Sequence, residues 1–284
     1  MPNAVSLQSI TKSFGPKIAV SDLDLEIPEG SLTGFIGPNG AGKTTTIRMI
    51  MSIIFPDSGE LSVLGKSSAV ESKDRIGYLP EERGVYKKMR VQAFLEYMAR
   101  LKGIDGAGLS TAVLTWLARV GLADSARKKC EELSKGMQQK VQYIAAVIHN
   151  PDLIILDEPF SGLDPLNSRL LRELIDEQSK SGRTIIFSTH QMVQAEALCD
   201  RIVMIHQGRK VIDDSPSTLR AQFDPRALSV EFESDTEPPN LRSLHGVDSV
   251  LSHGRWLELR TTAGVTPASI MPHVAALAPT RRIE

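Results

Sequence analysis

Residues Gly34–Ile47 read GFIGPNGAGKTTTI, and this stretch decides how the rest of the chain is read. Gly37, Gly42, Lys43 and Thr44 satisfy G-x-x-x-x-G-K-[ST], the spacing of a phosphate-binding loop. The residue types follow from the chemistry. Glycines let successive backbone N–H groups turn inward around a phosphate where a Cβ would obstruct them. Lys43 adds a mobile cation that reaches the β- and γ-phosphates, and the Thr44 hydroxyl can complete a Mg²⁺ octahedron. Leu32, Gly34, Phe35 and Ile36 read as a short buried strand entering the loop. Thr44 to Met51 reads as the helix leaving it, so the phosphates are expected at a helix N-terminus.

The second informative stretch is Leu153-Ile154-Ile155-Leu156-Asp157-Glu158. The apolar run predicts a central parallel strand covered on both faces. Two adjacent carboxylates at its C-terminal end are costly to place there unless they meet a cation or a reacting water. Asp157 is expected to hold Mg²⁺, directly or through water, and Glu158 to face an attacking water. A third strand, Thr184 to Ser188, ends in Thr189-His190. A lone histidine at a strand end is either structural or catalytic, and the spacing does not choose between them.

Outward from this centre, residues 4–33 alternate in antiparallel strands with turns at Phe14-Gly15-Pro16 and Pro28-Glu29-Gly30. Phe14 is read either as a core residue or as a ring for stacking on a base. Strands are expected at Glu60 to Leu64 and from Ile76, the second ending in the polar loop GYLPEERG. Two helices follow, one with Val91, Phe94, Leu95, Met98 and Leu101 on a face, the other with Leu109, Val113, Leu114, Leu117 and Val120. Ser134 is a natural N-cap for a helix burying Met137, Val141, Ile144, Ala145 and Ile148. Leu166, Leu170, Leu171, Leu174 and Ile175 mark a further amphipathic helix, and Arg201 to His206 pairs with Lys210 to Ile212. Beyond Gln222 short alternating segments, a break at Glu237-Pro238-Pro239-Asn240 and an apolar helix around Ile270 to Leu277 predict a small α+β domain. Arg282-Ile283-Glu284 is expected to lie in a strand.

The 284 residues carry a net charge of -1, with 41% hydrophobic and 24% charged residues. No dense Lys/Arg block supports a nucleic-acid partner. Cys130 and Cys199 have neither metal-like nor C-x-x-C spacing and read as buried or incidental thiols in a reducing compartment. The N-terminal MPNAVSLQSITKSFG lacks the basic start and apolar core of a signal peptide. No apolar run reaches membrane-spanning length.

The order of these motifs, with Leu133-Ser134-Lys135-Gly136-Met137-Gln138 and Ser161-Gly162-Leu163-Asp164 between them, resembles the ATP-binding cassette (ABC) ATPases over residues 4 to about 221. The wording GYLPEERG and LSKGMQQK is most similar to the ABC-2-type exporters, including sodium-extrusion and drug-export ATPases with a C-terminal extension. The resemblance implies an α/β fold: a P-loop NTPase core with a mostly parallel sheet, an antiparallel β subdomain and a helical insert at about 85–150. These would fill an ATP-binding domain at 1–221, followed by a small α+β domain at 222–284. It implies ATP and Mg²⁺ as cofactors, Phe14 as base-stacking ring, and Gly37, Pro38, Asn39, Gly40, Ala41, Gly42, Lys43, Thr44 and Thr45 as the phosphate cradle. Glu81 and Asp157 would join Thr44 at the metal, Glu158 would polarise the lytic water, and His190 would contact the γ-phosphate, with Lys43 as the loop cation. Ser134, Gly136 and Gln138 would close on the nucleotide of a partner subunit, and Asp164 would link the two sites. It implies as partners transmembrane permease subunits and a second ATP-binding subunit, in a homodimer or heterodimer, on the cytoplasmic face of the cell membrane.

The chain departs from the family pattern twice: Glu81 stands where the family has Gln, and Lys135 where it has a second Gly. The other function class considered is a soluble cassette ATPase acting on nucleic acid or the ribosome. Those relatives carry long coiled-coil insertions or two cassettes, and this sequence has neither, so transport is the expectation.

Overall fold

The computed structural model describes residues 2–82, 84–222, 226–234, 238 and 240–283. Two compact units divide the chain, Met1–Pro216 and Ser217–Glu284.

In the first unit β1 (Asn3–Phe14), β2 (Lys17–Pro28) and β4 (Ser58–Val63) form an antiparallel sheet of order β2-β1-β4. A second sheet has the order β5-β6-β7-β3-β8-β9, from β5 (Ile76–Leu79), β6 (Leu153–Asp157), β7 (Thr184–Thr189), β3 (Leu32–Ile36), β8 (Arg201–His206) and β9 (Arg209–Asp214). Its pairings are parallel except β8–β9. Leu153 to Leu156 are all buried, which accounts for the unbroken apolar run of a strand covered on both faces. The α/β fold expected from the sequence is the fold observed. Helix α1 (Lys43–Ile50) follows β3 through the glycine-rich loop, and Ile47, Met49 and Ile50 join the core shared with β1 and β2.

The helical insert contains α2 (Val91–Leu101), α3 (Leu109–Arg119) and α4 (Lys135–Val147). Val91, Phe94, Leu95 and Ala99 of α2, Leu109, Val113 and Leu117 of α3, and Val141 and Ile144 of α4 are buried. Helix α4 comes so close to β5 that a Cβ on Gly77 would lie 1.9 Å from the Ala146 carbonyl oxygen. Three expected core leucines are instead at the surface. Leu101 closes α2 where Ala99 takes the buried place, Leu114 lies beside the buried Val113, and Leu166 in the first turn of α5 (Pro165–Lys180) is 78% exposed. The core-facing stripe of α5 comprises Leu171, Leu174 and Ile175. Helix α6 (Met192–Leu198) packs under β3, where a Cβ on Gly34 would meet the Cys199 sulfur at 2.8 Å. Helix α7 (Pro216–Gln222) ends the stretch before residue 223.

The second unit is a four-stranded antiparallel sheet of order β11-β12-β10-β13, from β10 (Ala227–Phe232), β11 (Val247–His253), β12 (Trp256–Thr261) and β13 (Thr280–Ile283). Helix α8 (Pro267–Leu277) buries Ile270 and Val274 against Leu228, Val230, Leu257 and Leu259. Of the expected break at 237–240, Glu237 and Pro239 lie outside the described residues; Asn240 adopts a left-handed φ of 72°. Glu284, and Arg83 in the first unit, also lie outside them.

Candidate active site

The phosphate loop is shaped from behind. Gly37 has φ 155°, and a Cβ there would lie 2.2 Å from the Ile205 carbonyl oxygen. Gly42 has φ 112°, and its Cβ would lie 2.6 Å from the Ala19 carbonyl oxygen. The β8–β9 turn completes this back wall: Gly208 N–H donates to the Ala41 carbonyl at 2.8 Å, and Ser21 N–H donates to the Gly208 carbonyl at 2.9 Å. The loop is thereby tied to β2 and to the far edge of the sheet. Lys43, 6% exposed, donates to the carbonyls of Gly37 at 2.7 Å and Pro38 at 3.3 Å. The ammonium is held over the loop it serves.

In front of the loop is a cleft of about 350 Å³ lined by Phe14, Lys17, Ala19, the loop residues Asn39 to Thr45, Glu81 and Glu158. Gly37 and Pro38 stand behind this lining and hold Lys43. Phe14 is 52% exposed, so the core reading of this ring does not hold. Its position is built by Asp57, which accepts from Lys12 Nζ at 2.6 Å and from Ser13 N–H at 2.7 Å, with Lys12 Nζ 5.7 Å from the Phe14 ring centroid. Lys17 and Ala19 were not anticipated. The β1–β2 register sets Phe14 opposite Lys17, and no local sequence signal marks that pairing.

Behind Thr44, Asp157 is fully buried and accepts from Thr44 Oγ1 at 3.4 Å and from the Ser188 hydroxyl, both at Oδ1. Its Oδ2 is buried without a partner. Burial and the neighbouring Asp157 charge push the Tyr78 phenol up to about 12, so it stays neutral beside the acidic strand end. Glu158, 9% exposed, has φ 48° and reaches His190, whose Nδ1 lies 3.0 Å from Glu158 Oε1. A carboxylate only accepts, so Nδ1 carries the proton in this pair. Lys43, Thr44, Glu81 and Glu158, scattered through the sequence, line one cleft, and Asp157 and His190 adjoin it through Thr44 and Glu158.

An orphaned carboxylate oxygen beside a threonine hydroxyl fits a hard divalent cation. Among the described residues no group of three or more His, Cys, Asp or Glu forms a metal cage. That combination suits an ion which takes one or two carboxylates and completes its shell with water and phosphate oxygens, as Mg²⁺ does.

The cleft lining includes none of Ser134, Gly136, Gln138 or Asp164. Ser134 caps α4, accepting from Met137 N–H at 3.3 Å. Gln138 donates its side-chain amide to the carbonyls of Cys130 and Leu133, both at 3.1 Å, and so braces the turn before α4. Asp164 caps α5 through Asn167 N–H at 2.9 Å, and those hydrogen bonds hold its carboxyl below the usual range. A Cβ on Gly136 would lie 3.5 Å from Leu163 and Asn167, so the α4 and α5 N-termini adjoin. Cys130 and Cys199 are both buried, and burial pushes the Cys199 thiol up to about 12, far from a reactive thiolate.

A Walker-type loop at the C-terminal edge of a parallel sheet, with a histidine just past the neighbouring strand and an acidic pair at the end of the strand beyond it, defines a P-loop ATPase. The sequence profile of the ABC transporter family matches residues 20–161, and one described as an AAA domain matches residues 130–193. The chain is 42% identical over 254 residues to the uncharacterized ABC transporter ATP-binding protein YhaQ of Bacillus subtilis, covering 89% of this chain and 83% of that protein. It is 34% identical over 223 residues to the Nod factor export ATP-binding protein I of Burkholderia lata, covering 77% and 73%. A solved structure of an ATP-binding subunit of an ABC transporter superposes with a TM-score of 0.71 at 30% identity, covering 78% of this chain and 93% of that one. The chain belongs to the ATP-binding subunits of ABC transporters, a family of ATPases.

Proposed function

We propose that this chain is the ATP-hydrolysing subunit of an ABC exporter and works as a dimer, with two composite sites closed across the partner. The observation that carries this reading is the one-sidedness of the cleft. The loop, Glu81 and Glu158 line it, with Asp157 and His190 hydrogen-bonded to Thr44 and Glu158 of that lining, while the adjoining α4 and α5 termini with Ser134, Gly136 and Asp164 stand apart from it. A second copy would bring that surface over the γ-phosphate. Phosphoryl transfer asks for positioning and charge stabilisation rather than covalent chemistry, and a two-sided site supplies both. Phe14 stacks the base, Lys43 and the loop N–H groups hold the phosphates, and Thr44, Asp157 and Glu81 hold Mg²⁺. The bound Mg²⁺ would neutralise phosphate charge. Glu158 orients and polarises the attacking water, and His190 steadies Glu158 and reaches the γ-phosphate.

The exporter direction is supported by the Nod factor export relative. Among the described residues no helix is long and apolar enough to cross a membrane, so the pore would come from separate transmembrane subunits, with this chain peripheral on the cytoplasmic face. Their docking is supported by an exposed aromatic pair, Tyr86 in the loop after Glu81 and Tyr97 on α2, with ring centroids 5.8 Å apart.

Glu158→Gln tests both the chemistry and the assembly. The amide keeps the shape but not the basicity, so hydrolysis is expected to fall about a hundredfold or more, with nucleotide binding retained and ATP-dependent dimers accumulating on gel filtration. A variant that stays monomeric with ATP and hydrolyses at the parent rate contradicts the reading.

A further inference from the structure

Strands β6 and β7 run parallel with Asp157 directly opposite Ser188. Ser188 is wholly buried, and the mechanism above gives it no task. Its hydroxyl nevertheless serves both carboxylate residues at once. It donates to Asp157 Oδ1 and accepts from the Glu158 backbone N–H at 3.0 Å. The same N–H also reaches the Ser188 carbonyl at 3.2 Å. A hydroxyl has one proton and two lone pairs, so this pattern uses its only donor on Asp157.

The two donors to Asp157, from Ser188 and Thr44, both fall on Oδ1, while Oδ2 is buried with no partner. That asymmetry selects the oxygen that remains for a cation. At Glu158 the backbone has φ 48°, an uncommon conformation for a residue with a Cβ. Its N–H is held there by the same serine, and the side chain is turned to within 3.0 Å of His190.

We propose that Ser188 is a positioning residue for the acidic pair: its hydroxyl pins Asp157 Oδ1 so that Oδ2 faces the divalent cation, and it holds the Glu158 backbone in the turn that aims the carboxylate at the cleft. This rests on the reading of Asp157 as a Mg²⁺ ligand. Partners that orient a ligand from behind typically matter about ten- to a hundredfold in metal affinity.

The test measures binding rather than turnover. A fluorescent ATP analogue that is not hydrolysed is titrated against free Mg²⁺ for the parent, Ser188→Ala, Ser188→Thr and Asp157→Asn, with binding in EDTA as the reference. Ser188→Ala is expected to need about tenfold more Mg²⁺ for half-maximal enhancement of binding, with binding in EDTA unchanged. Ser188→Thr keeps the hydroxyl on a residue suited to strands and is expected to recover the parent curve. A Ser188→Ala curve within twofold of the parent overturns the proposal. So does loss of binding in EDTA, or a Ser188→Thr curve that follows Ser188→Ala, because packing rather than the hydroxyl would then be at work. If the parent and Asp157→Asn respond alike to Mg²⁺, the Mg²⁺ reading of Asp157 fails instead.

Discussion

At the scale of single residues, the site concentrates unfavourable arrangements that its neighbours offset. Glu158 holds a left-handed backbone at φ 48°, a conformation that costs on the order of 1–3 kcal/mol for a non-glycine residue. Its N–H compensates by bonding both the hydroxyl and the carbonyl of Ser188. Glu81 presents a different tension, since it lines the cleft with Lys43 and Thr44 and places a carboxylate where a triphosphate must bind. A carboxylate is a better ligand for a hard cation than an amide, but it repels phosphate until that cation is bound. Glu81→Gln is therefore expected to keep hydrolysis while narrowing the gap between ATP affinity with and without Mg²⁺. Exposed charges contribute up to about 1 kcal/mol, which corresponds to roughly threefold to fivefold in that ratio. Paired titrations of Glu81→Gln and Glu82→Gln check it. If only Glu82→Gln moves the ratio, the metal-facing carboxylate is one residue later.

Between elements, one tight approach joins the helical insert to the sheet. Gly77 on β5 leaves no room for a methyl group beneath Ala146 of α4, the would-be contact being 1.9 Å to backbone oxygen. A backbone atom cannot swing aside as a side chain does, so Gly77→Ala is expected to destabilise the first unit by about 3 kcal/mol. The drop in the urea midpoint measures it, and an unchanged midpoint would mean that α4 shifts freely on the sheet. Much of this architecture was legible beforehand. The apolar runs at Leu153–Leu156 and Thr184–Phe187 mark strands buried on both faces, and Ser134 caps α4 as its side chain allows. What stayed hidden depends on register or on where a helix leaves the core. Lys17 enters the cleft because it pairs with Phe14, and Ser188 meets Asp157 because two distant strands align. Leu101 and Leu166 obey helical periodicity yet sit in terminal turns that project past their neighbours. Periodicity specifies a face, not how far the partner surface extends along it.

Over the whole molecule, stability should fall in acid for a reason remote from the cleft. His149 is 7% exposed, with Nε2 3.1 Å from the Ile76 carbonyl, which also accepts from Lys102 Nζ at 2.9 Å. Burial, with Lys102 beside it, pushes His149 down from 6.5 to about 4. The unfolded chain therefore takes up this proton before the folded one does. Its contribution is complete above pH 6.5 and is lost as the pH falls through about 4. By pH 5 the loss is about 2 kcal/mol, and His149→Gln, which keeps a donor toward Ile76 but does not titrate, is expected to lack that part of the decline. Denaturant titrations at pH 7.5 and 5 check the difference, and parallel declines would remove His149 as its cause. The back wall of the phosphate loop has a consequence for how the protein is made. Ala41, Ser21 and Gly208 come together from opposite ends of the first unit, so the cradle cannot take its final shape while a ribosome still holds residue 208. Contacts this far apart in sequence form late because the intervening chain must first be ordered. ATP therefore arrives at a finished pocket, and the nascent chain gains nothing from the nucleotide until its last core strands have emerged.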